Sequence, residues 1–312
     1  GYSDVAIGMP LYDGANGTDQ GRVRIYRGSA SGLTGTVLAT LDGPGGSRFG
    51  TAVSTAGDMN GDGNLDVAIG APLAQTSGGG QGRVYVYEGT ATGLNTTRPW
   101  HVLDSTRNPS QLGAAVSGGG DINGDGLDDI VVGEPYGGEG GSANVYFGKS
   151  SGSLEPGLDL EYADDGFPAL NTLNARFGLS VAMLGDVNHD GFDDVAIGIP
   201  YEDYATSPFE LVQDAGAARV YFGGNAFGAD YDYLSPADGA IEPAPNLYFG
   251  FSVAGVGDVE ADGYADVAVG VPYRDQFPVA NPGSIRVYLG RNRVLGYEDE
   301  FEEIFGAADD EH

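Results

Sequence analysis

"GDMNGDGNLDVAIGAP", residues 57–72, sets a polar loop directly against an apolar run. Asp58, Asn60, Asp62 and Asp66 stand at positions 1, 3, 5 and 9, with Gly63 at position 6, and Val67-Ala68-Ile69 follows without a gap. Oxygen donors at alternate positions can wrap a hard cation. The glycine lets the chain turn sharply enough to aim the carbonyl of position 7, Asn64, at the same ion. Taken alone, D-x-N-x-D-G also admits a second, less favoured reading as an ordinary Asx-rich turn.

Repetition decides between the two. "GDINGDGLDDIVVGEP" at 120–135, "GDVNHDGFDDVAIGIP" at 185–200 and "GDVEADGYADVAVGVP" at 257–272 are the same unit, and the chain opens on the tail of another, "GYSDVAIGMP". The equivalent Asp4, Asp66, Asp129, Asp194 and Asp266 are 62, 63, 65 and 72 residues apart. Four complete sets follow: Asp58/Asn60/Asp62/Asp66, Asp121/Asn123/Asp125/Asp129, Asp186/Asn188/Asp190/Asp194 and Asp258/Glu260/Asp262/Asp266. Asn64, Leu127, Phe192 and Tyr264 are the backbone donors. Oxygen-only ligands in a flexible loop suit Ca²⁺ better than Mg²⁺, so about four Ca²⁺ sites are expected. The fourth set departs from the others in its longer Glu260 and in Ala261 and Ala265. An EF-hand or dockerin loop would carry an acidic residue at position 12 and flanking helices. Here position 12 is Ile69, Val132, Ile197 or Val269, so the loop joins two strands.

The rest of the unit supports strands. "RFGTAVSTAG" (48–57) precedes the loop, with counterparts "QLGAAVSGGG", "RFGLSVAMLG" and "YFGFSVAGVG". "GRVRIYRG" (21–28) and its relatives "GRVYVYEG", "SANVYFG", "ARVYFGG" and "SIRVYLG" follow it, and a weaker extended stretch such as "TVLATLD" (36–42) closes the unit. These are β-branched and aromatic runs bounded by Gly, Pro, Asn and Asp, with no sustained helical periodicity. Four strands in about 65 residues, repeated about five times, make the pattern of an all-β, bladed propeller. A single domain over 1–312 is expected.

Composition narrows the function. Of 312 residues, 45 are Asp or Glu and 14 are Lys or Arg, a net charge of −31, which argues against nucleic acid and anionic membrane surfaces as partners. Bound cations and a saline medium both account for such a surface. Cysteine is absent, so thiolate metal sites and disulfides are excluded. No apolar run approaches a membrane span, so direct membrane insertion is not expected. With Gly1 in place of an initiator Met, the sequence reads as a mature or excised piece.

The order "FG", D-x-N-x-D-G-x-x-D and "G-x-P" resembles FG-GAP repeats, the units of integrin α-subunit propellers and of bacterial integrin-like surface proteins. The resemblance runs from Gly1 to about Gly290. It implies a β-propeller with Ca²⁺ between the first and second strands of a blade, and an extracellular or cell-surface adhesion role. Leu112 replaces the Phe in one copy, and there is sequence for about five blades where integrin propellers have seven. Within the acidic segment 297–312, Phe305-Gly306 offers an inner strand that would close the ring onto the N-terminal segment. A fragment of a longer array is the alternative.

No catalytic set stands out. His101 lies beside Trp100, His312 is terminal, and His189 holds position 4 of a loop, where an outward, solvated side chain is expected. Alternation of strand direction puts the loops at 11–20, 73–81, 136–142, 201–215 and 273–283 on the face opposite calcium. They carry Tyr12, Tyr136, Tyr201, Tyr204, Phe209, Tyr273, Arg274 and Phe277, a surface suited to a protein or glycan ligand. An architectural module, packed on other domains or copies of itself, is the second reading. A polysaccharide-active enzyme is the third, disfavoured by the single lysine and three histidines.

Overall fold

Each repeat pairs its own runs into one sheet, in chain order. The computed structural model describes residues 2–76, 81–151, 154, 156–162, 174–207, 210–225, 227–229, 231–237, 243–274, 282–291 and 301–305. Blade 1 has three strands, Val5–Met9, Arg22–Ser29 and Gly32–Asp42. Blade 2 is Val53–Gly57, Asp66–Gln75, Gln81–Tyr87 and His101–Asp104, and blade 3 is Ala115–Gly120, Asp129–Glu134, Ser142–Tyr146 and Pro156–Glu161. Blade 4 is Ser180–Gly185, Asp194–Ile199, Ala217–Tyr221 and Tyr231–Leu234, and blade 5 is Val253–Gly257, Asp266–Val271, Ser284–Tyr288 and Phe301–Phe305. No α-helix occurs among the described residues. The chain is therefore all-β and built of propeller blades, as the repeat spacing predicts.

By contacts the chain divides into two compact units, 1–119 with 126–138 and 144–157, and 120–125 with 139–143 and 158–312. In the first, Ala56, Met59, Ala68, Val84, Val86, Leu112, Ile130 and Val132 form one buried cluster. In the second, Ala196, Ala218, Val220, Leu247, Phe249, Val267 and Val269 do the same. Second strands are buried on both faces, as in Asp129–Glu134 and Asp194–Ile199, which explains why they read as continuous apolar runs rather than as alternating ones.

The "FG" and "G-x-P" signatures turn out to be two halves of one contact. A Cβ on Gly8, Gly70 or Gly198, the glycine before each "x-P", would overlap the carbonyl oxygen of Gly50, Gly113 or Gly250, the "FG" glycine of the next blade. The residue before that glycine bridges back to the glycine at the start of the next-to-outer strand of the preceding blade: Gly21 to Phe49, Gly82 to Leu112, Gly141 to Phe177 and Gly216 to Phe249. Phe49, Phe177 and Phe249 are buried and meet Tyr85, Tyr221 and Tyr288 of their own blades edge-on, with ring centroids 5.3, 6.3 and 6.3 Å apart. Only glycine permits the backbones to come this close.

Two segments add to the sequence expectations. Phe301–Phe305 pairs antiparallel with Ser284–Tyr288 as the outer strand of blade 5, Ser284 opposite Phe305. The ring-closing inner strand drawn from Phe305-Gly306 falls on residues from Gly306 onward, outside the described residues. Second, the long stretch 201–215 is not plain loop: Tyr204–Ser207 and Glu210–Val212 form a two-stranded ribbon.

Candidate metal-binding loops

Each polar loop is a run of interlocked Asx turns. Asp58 Oδ1 accepts the Asp62 N–H at 2.9 Å and its Oδ2 accepts the Gly63 N–H at 2.8 Å. Asp186 takes Asp190 and Gly191 in the same way at 3.0 and 2.8 Å, and Asp258 takes Asp262 and Gly263 at 3.0 and 2.8 Å. The oxygen at position 3 joins in, Asn60 Oδ1 accepting from Asp62 N and Asn188 Oδ1 from Asp190 N. Position 5 then accepts from the N–H of position 7, as Asp62 does from Asn64, Asp190 from Phe192 and Asp262 from Tyr264. In the loop that begins at Asp121, Asp121 Oδ1 and Asn123 Oδ1 both accept the Asp125 N–H. Positions 1, 3 and 5 are thus gathered on one short coil of backbone. In the loops that begin at Asp58, Asp186 and Asp258 the backbone N–H groups of positions 5, 6 and 7 hold them there.

Position 9 behaves differently. Asp66, Asp129, Asp194 and Asp266 are fully buried. One oxygen of each accepts the N–H of the glycine two residues past the end of the third strand: Gly89 at 2.9 Å, Gly148 at 2.8 Å, Gly223 at 2.7 Å and Gly290 at 2.9 Å. Asp4, in the incomplete first unit, does the same to Gly28 at 2.9 Å. The glycines are required because a Cβ there would overlap the carbonyl of position 8, on Ser3, Leu65, Asp128, Asp193 or Ala265. The second oxygen accepts the N–H of position 2, Val187 at 2.8 Å for Asp194 and Val259 at 2.7 Å for Asp266. This staple from loop to third strand was not foreseen. Its signal was in the sequence, since Tyr26, Tyr87, Tyr146, Tyr221 and Tyr288 each stand two residues before a glycine.

Asp66 is the exception. Its Oδ2 is buried and lies near the Met59 N–H but outside hydrogen-bond geometry. Burial first, then the charges of Asp62 and Asp58, push its carboxyl up to about 6. Burial likewise pushes Asp194 up to about 7, with Asp190 and Asp186 adding to it. By contrast Asp258, open to solvent, is lowered chiefly by the Gly263 N–H. Among the described residues no three acidic or histidine side chains converge into a ready-made metal cage. The donor set is nevertheless all oxygen, and a buried carboxylate oxygen without a donor beside two further carboxylates is what a hard cation would satisfy. The residues fit Ca²⁺.

The loops are also stitched to one another. The N–H of Asp128, Asp193 and Ala265 donates to the carbonyl of Asp58, Asp121 and Asp186, the first residue of the preceding loop. Asp128 and Asp193 return the contact through Oδ2, accepting the N–H of Asp58 and Asp121 at 2.6 and 2.8 Å. Reading each loop alone missed these two; the doubled Asp in "GLDD" and "GFDD" was the clue. His189 also differs from expectation. Its Nδ1 lies 3.0 Å from the Gly263 carbonyl and its ring 5.3 Å from Tyr264, so it reaches the next loop while remaining exposed to solvent.

At the other end of the strands aromatic side chains gather. Within the second unit Arg176 Cζ lies 4.9 Å over the Tyr201 ring. Tyr201 meets Tyr248 edge-on at 5.1 Å, and Tyr248 meets Tyr273 at 5.5 Å. Tyr12, in the first unit, stacks under Arg22 at 3.8 Å. Tyr136 and Tyr204 are half-buried. Tyr248, the residue before "FG" in blade 5, was not foreseen as part of this surface. Phe209 and Phe277 lie outside the described residues.

The FG-GAP repeat model matches residues 49–87, 112–149, 177–221 and 249–288, about half of the chain. Among curated proteins, integrin alpha-4 of Xenopus laevis is 32% identical over 228 residues, covering 72% of this chain and 20% of that protein. Integrin alpha-PS2 of Drosophila melanogaster is 29% identical over 265 residues, covering 78% of this chain and 17% of that one. The chain thus spans a fifth or less of the length of these relatives. The solved structure of AofleA from Arthrobotrys oligospora aligns over 93% of this chain and 70% of that one at 10% identity. Its TM-score is 0.41, and at that value the likeness carries no argument.

Proposed function

This chain belongs to the FG-GAP repeat family, and from that premise we propose that it is a calcium-stabilised binding module. It acts outside the cell or on its surface and recognises a protein or glycan through the face opposite the calcium loops. The observation that carries the reading is the division of each strand. In blade 5 the oxygen-rich loop 258–266 follows Val253–Gly257 and the aromatic Tyr248 precedes it. Five residues at about 3.3 Å each keep the two ends roughly 17 Å apart. One end offers oxygens to an ion, and the other offers rings to a ligand.

Asp58, Asn60, Asp62 and Asp66, with the Asn64 carbonyl, would hold one Ca²⁺, and the equivalent residues of the three later loops would hold the others. The ion supplies structural charge neutralisation and no chemistry. Without it, several carboxylates share one coil of backbone in a protein of net charge −31. The three histidines are accounted for as loop, strand and terminal residues, and the reading is of a non-enzymatic module over residues 1–312. Nucleic acid is not a partner of so acidic a chain.

Calorimetric titration of chelator-treated protein with Ca²⁺ and then Mg²⁺, paired with melting curves, tests this. Calcium is expected to bind at about four sites and to raise the melting temperature by mass action, with Mg²⁺ far weaker. Unchanged melting in excess chelator, with metal loss confirmed, would remove the calcium half of the reading.

A further inference from the structure

We propose that the cleft beside Tyr248 and Tyr273 is a subsite for a neutral sugar ring. This rests on the reading of that face as ligand-binding and names the chemistry of its ligand. The cleft, about 410 Å³, is lined by Pro245, Asn246, Leu247, Tyr248, Tyr273 and Arg274. That is the low end of the range for small-ligand sites, room for about one or two pyranose rings.

Its walls are set before any ligand arrives. Tyr248 is held in the left-handed region, φ 52°, an unfavourable place for a tyrosine. Two backbone bonds fix it there, its N–H to the Asp214 carbonyl at 3.1 Å and its carbonyl from the Phe251 N–H at 3.0 Å. Its hydroxyl donates to Asn246 Oδ1 at 3.3 Å, and the Asn246 N–H is tied to the Gln213 carbonyl at 2.9 Å. The ring is then braced on both sides, by Tyr201 at 64° and Tyr273 at 68° between planes. Tyr273, the last of the row, is 53% exposed. A rigid aromatic ring beside the Asn246 amide matches a pyranose, whose C–H face is apolar and whose rim is hydroxyl. A wholly apolar ligand would make no use of that amide. A uronate or sulfated sugar would have to approach a net charge of −31. A neutral sugar satisfies both conditions.

The test is calorimetric titration of the calcium-loaded protein with neutral gluco-, manno-, galacto- and fuco-oligosaccharides, with an oligogalacturonate as the anionic comparison. At least one neutral series is expected to bind. Tyr273→Ala, at an exposed position, should weaken it about tenfold or more, while Tyr273→Phe stays within about threefold. Tyr2→Ala, at an exposed tyrosine two residues before Asp4, should leave it unchanged. The proposal is overturned if no neutral oligosaccharide binds at millimolar concentration, if the galacturonate binds best, or if binding survives Tyr273→Ala. Capture of a protein ligand that is lost in Tyr273→Ala would keep the reading of the face and overturn the sugar. Calcium titration proceeds the same in either case, so the two proposals fail separately.

Discussion

Replacing Asp194 by alanine separates the staple from the ion. The side chain accepts two N–H groups, Val187 at 2.8 Å in a buried setting and Gly223 at 2.7 Å in a partly buried one. Removing the acceptor strands both donors. A buried donor without a partner costs about 1–3 kcal/mol, and a partly buried one, which water can reach, costs about 1 kcal/mol. Against this, burial disfavours the charged carboxylate, so part of the cost is returned when the carboxylate is deleted. The balance is a loss of about 2 kcal/mol that does not depend on metal. Asp62→Ala is the comparison. Asp62 is exposed and accepts only from Asn64, so its loss in chelator should cost under about 0.5 kcal/mol. Urea unfolding of both variants and the parent, in excess chelator and in saturating Ca²⁺, gives four differences. Asp194→Ala should be destabilised in both conditions and Asp62→Ala chiefly in calcium. If Asp194→Ala is silent in chelator, the carboxylate is a ligand only and the staple argument fails.

Three further outcomes follow from the same geometry. Gly70→Ala should lower stability by about 1–3 kcal/mol or more, because its Cβ would overlap the Gly113 carbonyl and one blade edge must move; an unchanged urea midpoint would contradict the contact. Ala261 sits at φ 61°, where two of the other three loops have glycine, Gly61 and Gly124. Ala261→Gly should relieve about 1 kcal/mol of left-handed strain, partly offset by unfolded-state entropy, and thermal melting should show a small rise instead of the usual Ala→Gly loss. At fixed calcium, the melting temperature should climb with NaCl as screening shortens the reach of repulsion within a −31 chain. A protein most stable at low ionic strength would refute that.

Much of the fold was legible because the repeat is written in residues with few alternative roles. Glycine at Gly50, Gly70 and Gly89 marks places where backbones touch, and Ile69, Val132 and Ile197 mark strands buried on both faces. Four copies in register let each ambiguous position be read from the others. What escaped was whatever depends on neighbours in space. Asp128 and Asp193 look like parts of their own loops and serve the loop before. His189 looks like a solvated side chain and touches Tyr264. Phe305 stood out for its "FG" match, and it pairs with Ser284 at the end of the outer strand of blade 5. Tyr248 was hidden for the opposite reason. It occupies the slot held by Arg48, Gln111 and Arg176 in the other copies, so alignment reads it as one more variable residue. Only when blade 4 brings Tyr201 alongside does the slot become one wall of an aromatic row. A repeat conceals the positions at which it has been modified, because it teaches the reader to average them. In this chain Tyr248 is such a position, at the aromatic end of the strands, while the four loops at the other end keep an oxygen donor at positions 1, 3, 5 and 9. This is the pattern expected if an ion serves each complete loop and a ligand is met by one edge.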